Sequence, residues 1–192
     1  MRQALCLEKM KAFLKQGAIY RRSDFLFLTT NVDRNLAKLT ELGLLKKLQN
    51  GLYECPRLTD FGPALPNEEQ LLKKFLNDDH FVVYSYNLFN SLELGTTQLY
   101  NNKIVFNRKR HGDVILGGRK YFLHKWREAP KKLSLEFLLV EMMNRFEDLA
   151  EDKNKIMENL KKSFSKFNKK ALRFCLLHYG TLSAQKKLLP LF

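Results

Sequence analysis

Residues that break or loosen a chain are scarce here. Five prolines and nine glycines stand among 192 residues, which excludes collagen-like repeats and long flexible linkers. Cysteine is scarcer still. Cys6, Cys55 and Cys175 are odd in number, widely spaced and without a CxxC pair. Free, buried thiols in a reducing cytoplasm are expected, not a disulfide framework. No apolar run approaches the roughly 20 residues a membrane helix requires, and the first residues are too short and charged for a secretory leader. The expectation is a cytoplasmic protein without membrane contact. Acids are the minority charge: Asp and Glu number 20 against 34 Lys and Arg, for a net charge of +14. A surface this basic favours a polyanion, because each phosphate neutralised releases a counterion. A basic surface kept for solubility is the bland alternative.

What is present is patterned. Residues 4–16 read as an amphipathic helix, with Leu7, Met10 and Leu14 on one face and Gly17 at the C-terminal cap. A second short helix is expected from Ser23 to about Leu28. A third spans 31–42, with Val32, Leu36 and Leu39 inward, Thr29 and Thr30 as N-cap candidates, and Gly43 as its stop. The period then changes. Leu44–Leu48 and Gly51–Cys55 read as strands around Gln49-Asn50-Gly51, a hairpin turn signal, and Pro56 closes the unit. Three helices followed by a hairpin is the order of a winged helix-turn-helix, assigned to 1–56. Residues 57–66 form a proline- and glycine-bearing connector. Residues 67–128 read as a mixed α/β domain: a helix capped by Asn67, strand-like runs at 81–85, 103–108, 114–116 and 119–123, and a Gly117-Gly118 turn. Residues 129–192 read as helical. Leu135, Leu138, Met142, Phe146 and Leu149 are expected on one apolar face, and Thr181 as the cap of a last short helix. The fold class expected is α+β.

The third helix carries the most chemistry. With its aliphatic residues inward, Arg34 and Lys38 fall on the opposite side at ~100° per residue. Asn31 flanks them and Thr30 stands at the start. Arg pairs with guanine O6 and N7, and Asn with adenine N6 and N7, in a major groove. A solvated helix face explains the same residues. Lys46, Lys47 and Asn50 on the hairpin suit the sugar-phosphate backbone, contacts that position without reading sequence. The lysines also suit an edge strand that resists aggregation. Arg21 and Arg22 are further phosphate candidates. Asp33 and Glu41 on the same helix oppose phosphate. A second basic stretch runs from Arg108 to Arg127 with Tyr121, Phe122 and Trp126 interleaved. It fits single-strand stacking, but alternation across a sheet explains the spacing and is preferred.

Enzymatic constellations are missing. The chain has no GxxxxGK[ST], GxGxxG or HExxH motif. His80, His111, His124 and His178 lack metal-ligand spacing. Cys175 and His178 occupy neighbouring helical turns, which reads as a core thiol beside a satisfied imidazole. No catalytic site, metal or cofactor is expected.

The runs Ser23-Asp24-Phe25, Val32 through Leu45 and Asn50 through Pro56 resemble the N-terminal winged helix of AbiE-type antitoxins, transcriptional regulators of type IV toxin–antitoxin pairs. Phe61 through Gln70 is similar to that family's connector and following helix. Tyr84 through Gln98, ending Leu94-Gly95-Thr96-Thr97-Gln98, resembles its stretch built around Leu-Gly-Leu-Thr-Thr-Gln. The likeness covers roughly residues 1–126. It implies a repressor of its own operon that binds inverted repeats in promoter double-stranded DNA; because one winged helix covers a short site, two copies are expected on a repeated operator. It also implies an antitoxin that counters a nucleotidyltransferase-type toxin without a stable complex. A winged helix serving as a scaffold for a protein or RNA partner is the alternative.

Overall fold

The computed structural model of the chain describes every residue except 1, 98, 101, 102, 129 and 131, so Gln98 of the family-like run lies outside the described residues. Helices and strands together place the chain in the α+β class, with runs of strands in its first two thirds and, among the described residues, helices alone after Lys125. They form two compact units, residues 1–79 with 113–121 and residues 80–112 with 122–192.

The first unit begins with α1 (Arg2–Phe13), β1 (Ile19–Arg21), a 3-10 turn (Arg22–Phe25), α2 (Val32–Glu41), β2 (Lys46–Gln49) and β3 (Leu52–Glu54). The strands pair in the order β1-β3-β2. This is a winged helix whose wing is the β2–β3 hairpin. Its core gathers Met10, Phe25, Val32, Leu36, Leu39 and Leu45. The helix expected from Ser23 to Leu28 is a single 3-10 turn instead. Asp24 explains this: its Oδ2 accepts the Arg21 N–H (3.0 Å) and pairs with Lys74 Nζ (2.6 Å), which pins the turn. β1 pairs Ile19 with Glu54 and Arg21 with Leu52. The connector forms a small hairpin, β4 (Leu58–Thr59) with β5 (Gly62–Pro63). It leads to α3 (Glu68–Leu76), capped by Asn67, whose Oδ1 accepts the Gln70 N–H (2.9 Å).

The second unit begins with β6 (Phe81–Tyr84), a 3-10 stretch (Tyr86–Leu92) and β7 (Lys103–Asn107). Then come β8 (Gly112–Leu116) and β9 (Arg119–Lys125), and β7 lies between β6 and β9. Residues 113–121, all of β8 after Gly112 and the start of β9, belong to the first unit. There Tyr121 Oη donates to Glu68 (3.0 Å). Gly117 adopts φ +54°, and a Cβ on it would lie 3.0 Å from the Pro66 ring, so glycine is favoured on both counts.

Four helices complete the second unit: α4 (Leu135–Asn144), α5 (Lys153–Ser163), α6 (Lys169–Tyr179) and α7 (Leu182–Leu188). Ser134, Asp152, Asn168 and Thr181 each accept a first-turn N–H as N-caps. The single apolar face expected from Leu135 to Leu149 does not form. α4 ends at Asn144, Leu135 is 49% exposed, and Phe137 to Met143 are buried on every side. The helix is the centre of the unit and has no solvent face. It shares one core with Val82, Tyr84, Ile104 and Phe106. The stretch from 129 onward is therefore part of the same body as β6 and β7, not a separate region. Likewise the connector at 57–66 lies within the first unit. No helix among the described residues is long and apolar enough to cross a membrane.

Asn107, fully buried, organises the turn after β7. Its Oδ1 accepts the N–H groups of Lys109 (2.9 Å) and Arg110 (2.7 Å). Its Nδ2 donates to Arg110 O (2.9 Å) and His124 O (3.3 Å). Asn107→Ala is expected to cost about 1–3 kcal/mol, because it strands buried backbone partners. Urea unfolding followed by Trp126 fluorescence measures it. An unchanged midpoint contradicts the account.

Candidate nucleic-acid interface

The face of α2 follows from which side the core takes. Val32, Asn35, Leu36 and Leu39 are buried, leaving Asp33, Arg34, Ala37, Lys38 and Glu41 exposed. Asn31, Arg34 and Lys38 stand at i, i+3 and i+7 and so share one stripe. Asn31 is the N-cap position and is exposed, as is Thr30. The N-cap position falls on Asn31 and not on Thr29 or Thr30 as expected, and its side chain makes no capping hydrogen bond; Thr29 instead braces the preceding turn, its Oγ1 accepting the Asn31 N–H (3.2 Å) and Asn35 Nδ2 (3.3 Å). Asn35 faces inward and spends its amide on this loop, leaving Asn31 as the stripe's amide.

The opposing acid on this helix is already neutralised. Arg22 donates Nε to Asp33 Oδ1 and Nη2 to Oδ2, both at 2.7 Å. This fork-to-fork pair holds the Asp33 carboxyl below the usual carboxylate range and raises the guanidinium further. Asp33 therefore repels phosphate less than its position in the sequence implies. Arg22 in turn is committed to Asp33 and is a weaker phosphate candidate. Arg21 is half-buried, with Nη1 inside and without a hydrogen-bond partner.

The wing turns at Asn50-Gly51, where Gly51 takes φ +72° and its carbonyl accepts the Arg22 N–H (2.9 Å). Lys46, Lys47 and Asn50 are all exposed. Lys46 stands opposite Glu54 in the ladder. Burial pushes the Glu54 carboxyl up, and Lys46 acts against that rise. Lys47 has no such neighbour across the strand; it pairs with Tyr53. Among the described residues, Arg34, Lys38, Lys46 and Lys47 form no ion pair within 4 Å; Lys46 has the Glu54 carboxyl across the ladder, while Arg34, Lys38 and Lys47 have no such acidic neighbour across the stripe or the wing.

Sequence reasoning missed β1, the Arg22–Asp33 pair, the inward Asn35 and the buried Glu54. In the Arg108–Arg127 stretch, Tyr121 is buried while Lys125 and Arg127 are exposed, though Trp126 is 44% exposed. Sheet alternation thus accounts for much of that stretch but not for Trp126. The three cysteines are free and Cys55 and Cys175 are buried, which pushes both thiols up. His178 is exposed, with Nδ1 2.9 Å from the Phe174 carbonyl. Among the described residues no three His, Cys, Asp or Glu side chains group to hold a metal.

No family profile matches the chain, and no curated protein matches it. A solved structure does: the crystal structure of the RV2827C protein from Mycobacterium tuberculosis is similar at a TM-score of 0.57 and 14% identity, covering 91% of this chain and 71% of that one. At that identity the likeness is one of fold.

Proposed function

We propose that the first unit binds double-stranded DNA and that the chain is a transcriptional regulator of its own operon. What supports the reading is the set of three exposed cations, Arg34, Lys38 and Lys47, that form no ion pair among the described residues on a recognition-type helix and its wing, with Lys46 beside them. In this reading Asn31, Arg34 and Lys38, with Thr30 at the helix start, approach base edges. Lys47, Asn50 and, more weakly, Lys46 follow the backbone. One such module covers a short site, so two copies are expected on an inverted repeat, with half-sites about 34–36 Å apart or a multiple of that. The AbiE-type resemblance extends the proposal. The chain then acts as the antitoxin of a type IV pair and counters a nucleotidyltransferase-type toxin without forming a stable complex with it.

A gel shift on the DNA upstream of the gene, with random competitor at two salt concentrations, tests it. Arg34→Ala is expected to lose roughly 1–3 kcal/mol on the cognate site and little on random DNA. Lys47→Ala is expected to weaken all DNA alike and to reduce the salt slope by about one. Equal losses on both DNAs for both variants would defeat the division of labour. No salt-sensitive shift at all would leave the winged helix as a scaffold for a protein or RNA partner.

A further inference from the structure

Independently of DNA, the second unit contains a cavity of about 330 Å³ under α4 and the end of α6, within the range of roughly 300–1,000 Å³ usual for small-ligand sites. Glu141, only 3% exposed, is one of its walls. Both its oxygens are held: Tyr84 Oη donates to Oε2 and Asn144 Nδ2 to Oε1, each at 2.7 Å. Asn144 is itself fixed, since its Nδ2 also donates to Tyr179 O (2.9 Å) and its Oδ1 accepts the Thr181 N–H (2.8 Å). A carboxylate so thoroughly oriented inside an apolar helix costs stability that leucine would not. Burial pushes its carboxyl up, and such perturbed acids concentrate at functional sites.

The other walls are cationic and aromatic. Arg145 lies beside Glu141, with Nη2 3.4 Å from His124 Nε2, and forms no ion pair among the described residues. Its planar donor fork is thus largely unused by the protein. Lys125 and His111 line the same space. His124 is clamped between the Phe106 ring, stacked at 5.5 Å, and the His111 ring, edge-on at 5.8 Å. Trp126 and Tyr179 form an aromatic wall with ring centroids 6.3 Å apart.

A bidentate cation with further basic groups fits a phosphate dianion. An exposed indole beside a tyrosine fits the face of a heterocycle. A fixed acceptor fits an amino or hydroxyl hydrogen. We propose that this cavity is a nucleoside monophosphate site, with Arg145, His124 and Lys125 holding the phosphate, Trp126 and Tyr179 the base, and Glu141 a ligand N–H or O–H. The same chemistry occurs in a free nucleotide and at the phosphorylated end of a strand.

Trp126 is the chain's single tryptophan, so under native conditions its fluorescence reports from the wall of this cavity. The full chain is titrated with each of the four ribonucleoside 5′-monophosphates, the matching nucleosides, inorganic phosphate, and a 5′-phosphorylated against a 5′-hydroxyl oligonucleotide. Saturable quenching by at least one monophosphate is expected, weaker binding of its nucleoside and of phosphate alone, and preference for the phosphorylated oligonucleotide only if strand ends are the source. Arg145→Gln is expected to weaken binding by roughly tenfold or more, the loss of a charge-assisted contact, with Arg145→Lys in between. Should Arg145→Gln fail to fold by far-UV circular dichroism, Lys125→Ala at the exposed rim supplies the same direction with a smaller loss. No saturable response at millimolar ligand overturns the proposal. So does phosphate binding as tightly as every nucleotide, or an affinity indifferent to both Arg145 and Lys125.

Discussion

Leu36→Ala is expected to destabilise the first unit by about 2–5 kcal/mol, a cavity-forming truncation at a fully buried site. Leu36 projects from α2 into the core with Met10, Phe25, Leu39 and Leu45. α2 has only ten residues, too few to be helical alone in water. Its position is set by that packing, and the Asn31–Arg34–Lys38 stripe is set with it. The DNA-binding reading therefore ties a core change to a surface function. Leu36→Ala is expected to lower affinity for cognate DNA although it removes no exposed atom. Lys38→Ala is the converse, with a stability change within about 0.5 kcal/mol and a loss confined to binding. Urea unfolding by far-UV circular dichroism, paired with a gel shift, separates the two. Leu36→Ala with an unchanged unfolding midpoint would show that α2 does not depend on this core.

The parts of the molecule that could be read from the sequence are those held by nearby residues. Asn50-Gly51 and Gly117-Gly118 turn the chain by backbone conformation alone, and Asn67 and Thr181 cap helices three residues away. The stripe on α2 is a matter of period. What stayed hidden depends on distant partners. β1 is three residues long and exists because β3 lies beside it. Arg22 and Asp33 are eleven residues apart and cancel each other at the edge of the proposed DNA face. α4 defeats a period argument for a different reason. A helix buried all round has no polar side to set a phase, so a stripe running on to Phe146 and Leu149 continued past the true end of the helix. The same misreading conceals Glu141, because pattern assigns an acid in a helix to solvent. The cavity's walls come from β7, the turn after it, β9, α4 and the end of α6, and no spacing in the chain announces that convergence.

Glu141→Gln is expected to flatten the pH dependence of the second unit's stability and to leave it more stable than the parent at neutral and mildly alkaline pH. Burial is the largest influence on this carboxyl and raises it; Tyr84, Asn144 and Arg145 pull the other way. In the unfolded chain the same group ionises in the ordinary glutamate range, near pH 4.3 by the reference value of about 4.3. Between that range and the higher folded value the native state binds more protons than the unfolded one. Stability is therefore fully present below the ordinary range and is lost as pH rises through the folded value. Within that window stability falls as pH rises. Glutamine keeps the shape, and its Oε1 still accepts from Asn144. Tyr84 Oη, which donates to the acid, can turn to accept from the new amide. Unfolding followed by Trp126 fluorescence from about pH 4 to 9, the span set by the ordinary glutamate value and the alkaline side of neutrality, gives the two slopes. Parallel slopes would mean that Glu141 ionises alike in both states, and that the carboxyl beside Arg145 is held without the cost its burial implies.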